Sequence, residues 1–348
     1  MLAPAGFCFA PFLDCESIVG TPAAATYSLR ASHCLVPMLS HLPVPAPVRA
    51  TAILNLGSGS QRQQEVAETL AEIFAQQGAD LRIGYASRIN DVYFFARDAV
   101  AERRPIVLAG GGDGTISAVA SVLAGTDTAL GVLPLGTFNY FARDLGVPLD
   151  LEGAARLCFE GTVRAVALAE VNGRVFLNNA SLGIYPTMLR EREETYRRWG
   201  GRSQLAAYIA GFLGLFRTHR YLRLEMSTGN KIRNFRTPLM FAAHNLHQVE
   251  AFGITGADCV REDSLAFYIV PPVGRAGLLR LAWLMFRGRL DVGADLQFVC
   301  SSEARVETRR PVVNVAYDGE VERMRSPLHF RVRQSALKVV APAEPIAS

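Results

Sequence analysis

Three times between residues 50 and 146 an apolar run closes on a glycine-bearing turn and passes at once into helical spacing. Ala52-Ile53-Leu54 ends in Asn55-Leu56-Gly57-Ser58-Gly59, and Pro105 to Ala109 ends in Gly110-Gly111-Gly112-Asp113-Gly114-Thr115. Leu130 to Leu135 ends in Gly136-Thr137-Phe138-Asn139. Short apolar runs bounded in this way suit strands buried on both faces. Val66, Leu70, Ile73 and Phe74 mark the first helix, stopped by Gly78, and Ile116 to Leu123 marks another, closed by Gly125. A further strand over Asp80 to Tyr85 leads to a helix starting near Asn90-Asp91, and a short helix reaches Leu145 before Gly146 and Pro148. Strand alternating with helix implies a parallel sheet covered by helices, with ligands at the carboxyl ends of the strands, where these turns fall.

The pattern changes after about residue 160. Ala165 to Val171 and Arg174 to Asn178 flank Asn172-Gly173, a strong hairpin signal, and Tyr221 to Met226 and Lys231 to Phe235 flank Ser227-Thr228-Gly229-Asn230. Further strands are expected at Leu265 to Val270, Leu296 to Cys300, Val312 to Tyr317 and Phe330 to Val340. Helical inserts are expected at Glu191 to Phe216 and Gly277 to Arg287; the apolar stretches Ser203 to Phe216 and Gly277 to Arg287, edged by arginines, would suit docking on a bilayer, but packing on the strands is the favoured reading, because apolar helix faces usually belong to a core. The fold class is therefore α/β plus mainly β. Residues 49–163, joined by 322–348, form an α/β nucleotide-binding domain, and residues 164–321 an antiparallel, β-sandwich-like domain. Residues 1–48, rich in Ala, Pro, Ser and Cys without sustained period, read as a poorly ordered extension.

Composition narrows the class. A chain of 348 residues, half of them hydrophobic, exceeds one usual domain of about 100–200 residues. The net charge of +4 is modest and asks for no nucleic-acid partner, although basic residues crowd between Arg190 and Arg236. Six cysteines at 8, 15, 34, 158, 259 and 300 show neither C-x-x-C spacing nor histidine partners, so neither a zinc site nor a disulfide scaffold is expected, in keeping with a reducing cytoplasm. Met1 to Phe12 is apolar but lacks the basic start of a signal peptide. The uncharged stretch over residues 203–216 holds 14 residues, short of the roughly 20 that cross a bilayer, so membrane contact would be peripheral. His244 and His247 suit polar contacts and no metal.

Gly110 to Thr115 carries the most chemistry. Glycines at a strand-to-helix turn let backbone amides and a helix N-terminus approach an anion closely. A carboxylate in that nest, Asp113, suits magnesium beside phosphates or a proton transfer. The segment has neither the Walker spacing nor the G-x-G-x-x-G spacing, and the residues alone leave phosphate binding and a plain tight turn both open.

G-G-G-D-G-T at 110–115 followed by P-L-G-T-F-N-Y-F-A-R-D-L-G at 134–146 resembles the diacylglycerol kinase catalytic family, which includes sphingosine and other lipid kinases. N-L-G-S-G at 55–59, N-G-R-V-F-L-N-N-A-S-L-G at 172–183, Ala243-His244-Asn245 and Asp318-Gly319-Glu320 extend the likeness over roughly 50–341. The resemblance implies ATP and Mg2+ as cofactors. Asn55, Ser58 and Gly59 would touch the nucleotide, Gly111, Gly112, Asp113, Gly114 and Thr115 would cradle its phosphates, and Gly136, Thr137 and Asn139 would face them. Glu320 would act as general base on a lipid hydroxyl, with Asp113 and Asp318 as catalytic and metal-organising residues. Without that family context, Asp318-Gly319 reads as an ordinary turn.

The implied function is phosphoryl transfer to a diacylglycerol-like or sphingoid lipid by a cytoplasmic, peripherally membrane-associated enzyme, with a second copy of the chain in a homodimer as a candidate partner. Ser60, Tyr140 and Ala167 depart from the lysine and acidic residues found in some members. They admit a catalytically impaired nucleotide- or lipid-binding alternative, unless Asp144, four residues beyond Tyr140, compensates for the missing carboxylate. An NAD kinase shares the G-G-D-G-T loop, but its other motifs are absent.

Overall fold

The computed structural model describes residues 42–44, 48–55, 61–189, 221–251 and 253–343. Ser58, Gly59, Ser60 and the expected helix over 191–216 lie outside the described residues, as does most of 1–48. Within that last stretch Leu42–Pro43 forms strand β1, paired with Val163 and Thr162.

The expected alternation folds as a parallel sheet. Strand β2 (Arg49–Leu54), helix α1 (Gln61–Gln76), strand β3 (Asp80–Tyr85), helix α2 (Ile89–Ala101), strand β4 (Ile106–Gly111), helix α3 (Asp113–Leu123) and strand β5 (Ala129–Pro134) follow in turn. The strands lie in the order β5-β4-β2-β3, all parallel. Strands β4 and β5 are buried at every position, as a sheet covered on both faces requires. Val66, Leu70, Ile73 and Phe74 pack on this core at the spacing read from the sequence. A short helix α4 (Tyr140–Asp144) and helix α5 (Leu151–Glu160), capped by the Asp150 carboxylate on the Gly153 amide, complete this half.

The second half is a sandwich. Strand β6 (Thr162–Val171) turns through Asn172 and Gly173, both at positive φ, into β7 (Arg174–Phe176), as the asparagine-glycine pair predicts. Strands β8 (Asn179–Gly183), β9 (Leu222–Thr228), β10 (Lys231–Thr237) and β11 (Leu239–Ala243) follow. Helices α6 (Leu246–Ala251) and α7 (Ala257–Arg261) precede β12 (Leu265–Ile269), and helix α8 (Arg275–Phe286) precedes β13 (Gln297–Ser301). The chain ends with β14 (Glu303–Thr308), β15 (Val312–Tyr317), β16 (Glu320–Arg325) and β17 (Leu328–Ala341). One sheet runs β13-β12-β11-β8-β15-β16. The facing strands β10-β9-β14-β17 belong to the same sheet as β5-β4-β2-β3, because β17 pairs antiparallel with β14 and β6 and parallel with β5. Phe176, Phe267 and Phe330 fill the layer between the sheets.

Two expectations are corrected. Cys259 and Cys300 form a disulfide between α7 and β13. They lie 41 residues apart and meet because Cys300 pairs with Ala266 of β12, a proximity no local spacing encodes. Cysteine usage therefore carries no argument for a reducing compartment. Helix α8 is expected to be buried, but among the described side chains it buries Leu281, packs Leu278 beside it and leaves Leu279, Trp283 and Met285 exposed. Among the described residues no helix is long and apolar enough to cross a membrane.

Candidate active site

Two glycine turns meet backbone to backbone at the carboxyl ends of β4 and β5. A Cβ on Gly136 would lie 2.5 Å from the Gly112 Cα, so the loop after β5 can touch the start of α3 only as glycine. Asn139 fixes that loop from a left-handed conformation, φ 53° and ψ 43°. Its side-chain oxygen accepts from the Gly136 amide at 3.1 Å, and its amide donates to the Pro134 and Gly136 carbonyls. On the other flank Asn55 donates to the Thr115 hydroxyl at 2.9 Å. Asn55, Gly111, Gly112, Gly114, Thr115, Gly136 and Asn139 are thus gathered around the α3 N-terminus, and Thr137 stands exposed on the facing loop. The first amides of a helix have no acceptor within it and carry the positive end of its dipole. This end can therefore bind an anion.

Asp113 opens α3 and turns across the gap between the loops. It accepts from the Asn139 amide at 3.1 Å and the Phe141 amide at 3.4 Å, and the Asn178 side chain also hydrogen-bonds it. Burial pushes its carboxyl above the ordinary aspartate value, against these donors.

The opposite wall comes from the β15–β16 hairpin. Asp318 and Gly319, at φ 43° and 93°, form the two-residue turn whose twist suits paired strands. One Asp318 oxygen accepts from Ser117 Oγ at 2.7 Å and the Leu177 amide at 2.6 Å, and the other from the amides of Asn178 and Asn179 at 2.9 and 3.1 Å. Burial raises this carboxyl and the donors oppose the shift. Both Asp318 oxygens thus hold donors from α3 and the β7–β8 turn. This geometry positions the hairpin. Glu320, the next residue but one, lines a cavity of about 630 Å³ together with Gly114, Ser117, Tyr93, Arg97 and Arg174. The glycine turn and the expected base therefore share one cavity.

Other positions resolve differently from their sequence reading. Asp144 accepts from the backbone of Leu246 and His247 at the start of α6, which commits it there and removes it as a substitute at position 140. Tyr140 instead stacks on Phe138, with ring centroids 5.4 Å apart. Ala167 offers its backbone to His244, whose protonation burial disfavours. Asn178 was not singled out as a site residue, although it stands in the Asn-Asn pair of the quoted 172–183 segment; only its contact with Asp113 marks it. Arg174 was missed too, and it reaches into the cavity while paired with Glu322 at 2.8 Å.

No cluster of three or more His, Cys, Asp or Glu suited to a metal occurs among the described residues. Magnesium commonly takes only one or two carboxylates beside substrate phosphates, and Asp113 at the α3 N-terminus fits that pattern.

The sequence model of the diacylglycerol kinase catalytic domain matches residues 49–171, which span the glycine turns, Asp113 and the strands that carry them. Residues 49–171 thus resemble the catalytic domain of this lipid-kinase family. A protein named probable lipid kinase YegS-like from Pseudomonas syringae is 34% identical over 171 residues, 48% of this chain and 55% of that one. The chain thus spans about half the length of that relative. The Bacillus subtilis diacylglycerol kinase is 29% identical over 245 residues, covering 69% of this chain and 79% of its own. A crystal structure of a putative diacylglycerol kinase from Bacillus anthracis superposes with TM-score 0.66 at 19% identity, over 85% of this chain and 98% of that one, which shows a shared fold.

Proposed function

We propose that the chain transfers the γ-phosphoryl group of ATP to the hydroxyl of a diacylglycerol-like or sphingoid lipid. The observation that carries this reading is the cavity shared by Gly114 at the α3 N-terminus and Glu320 at the hairpin. The α3 amides and the glycine turns hold the phosphates, and Asp113 would supply a ligand to magnesium, whose charge would neutralise the transferring group. Glu320 takes the proton from the lipid hydroxyl, whose oxygen attacks phosphorus as the bond to the ADP oxygen breaks. A positioned base contributes about 10²–10⁴-fold. Asp318 and Ser117 hold the hairpin so that Glu320 faces the turn. Residues 49–163 with 322–348 serve the nucleotide, and residues 164–321 serve the lipid.

The test is incubation of the full chain with labelled ATP, Mg2+ and a total lipid extract. A labelled lipid is expected, and its identity names the substrate. Nucleotide binding with no labelled lipid would favour an impaired binding protein, the reading that Tyr140 beside Asp113 and Ala167 motivate.

A further inference from the structure

Helix α8 is apolar on more than one side. Leu281 enters the core and Leu278 packs beside it, whereas Leu279, Trp283 and Met285 are 42, 54 and 47% exposed. A helix hydrophobic all round normally lies inside a protein or a membrane. This one spans 12 residues, about 18 Å, too short to cross a bilayer and suited to lying along one.

Charge says what covers it. From Ser264 to Leu290 the chain has four arginines, Arg275, Arg280, Arg287 and Arg289, and no acidic residue. Arg280 is paired with Asp295 at 2.9 Å. The other three have no carboxylate within ion-pairing distance among the described residues. Arg287 lies 5.2 Å over the Trp283 ring, so a cation and an interfacial aromatic share the exposed side. At the foot of the helix the Tyr221 hydroxyl donates to the Val273 carbonyl, and Arg236 stacks on that ring at 4.5 Å, adding another cation.

We propose that the exposed side of α8 is the surface by which this protein docks on an anionic phospholipid bilayer. Leu279 and Trp283, one turn apart on the same side, enter the interface, and Arg275, Arg287 and Arg289 meet phosphate headgroups. The proposal rests on the reading that the substrate is a membrane lipid and assigns the side that faces it.

The chain has two tryptophans, at 199 and 283, so Trp199→Phe leaves Trp283 as the reporter. Vesicles of phosphatidylglycerol and phosphatidylcholine should shift its emission to the blue, phosphatidylcholine alone much less, and inorganic phosphate not at all. Leu279→Ser should lower partition onto the anionic vesicles at least threefold, and Arg287→Glu with Arg289→Glu should do so only when the vesicles are anionic. Unchanged partition in the apolar variant, in protein whose circular dichroism matches the wild type, overturns the proposal. So does emission already blue without vesicles, which would mean that residues 190–220 or a second copy covers the helix. Partition is read without ATP, so a failed kinase assay and a failed docking assay are distinguishable.

Discussion

The two walls of the cavity are built over very different chain distances. On the glycine-turn side the contacts that shape the site span about 3 to 60 residues, from the Asn139 loop bonds to the Asn55 link with Thr115. On the hairpin side the decisive bond, Ser117 to Asp318, spans 201 residues. Two aspartates divide the work accordingly. Asp113 takes backbone and side-chain amide donors at the α3 N-terminus, whereas Asp318 takes the Ser117 hydroxyl and three backbone amides and so ties the hairpin to α3. On the proposed function, Asp113 serves the chemistry and Asp318 assembles the cleft.

That contrast fixes what each substitution should do. Asp113→Ala should lower phosphorylation of lipid on the order of 10³-fold or more while leaving the fold in place, as steady-state turnover beside circular dichroism would reveal. If Asp318→Ala matched that loss with unchanged stability, the division between the two aspartates would be wrong. Asp318→Asn should instead destabilise by about 1–3 kcal/mol in urea unfolding, because an amide cannot accept on both ends and leaves a buried donor unpaired. Gly136→Ala should cost a comparable ~1–3 kcal/mol, since its Cβ meets the Gly112 backbone and not a flexible side chain. Ser117→Ala is the smallest step, about 1 kcal/mol, with turnover reduced through a loosened hairpin. A Ser117→Ala protein of unchanged stability would show that the α3 contact to Asp318 does not hold the hairpin.

The same contrast explains what could be read from the sequence. Asp80 to Tyr85 and Val312 to Tyr317 were expected as strands and form over those residues, because period and flanking turns are local. The glycine turns were legible for the same reason. Strand β16, Glu-Val-Glu-Arg-Met-Arg, was not foreseen: its charges stay solvated while Met324 alone is deeply buried, so it shows little hydrophobic pattern. The short helix α6, with Asp144 at its start, was equally invisible, since its cap comes from the other half of the chain. Asp318 read as an ordinary turn without its family context, and the turn is real. Its four donors come from two other segments, α3 and residues 177–179, which no local pattern reports.

The most direct measurement compares Glu320→Gln with the wild type in nucleotide binding and in transfer of labelled phosphate to lipid. The account predicts nucleotide affinity within a few-fold of the wild type and turnover lower by about 10²–10⁴-fold, because the variant keeps the anion site and lacks the base. Turnover equal to the wild type would contradict it, since the hairpin would then contribute no proton acceptor to the shared cavity.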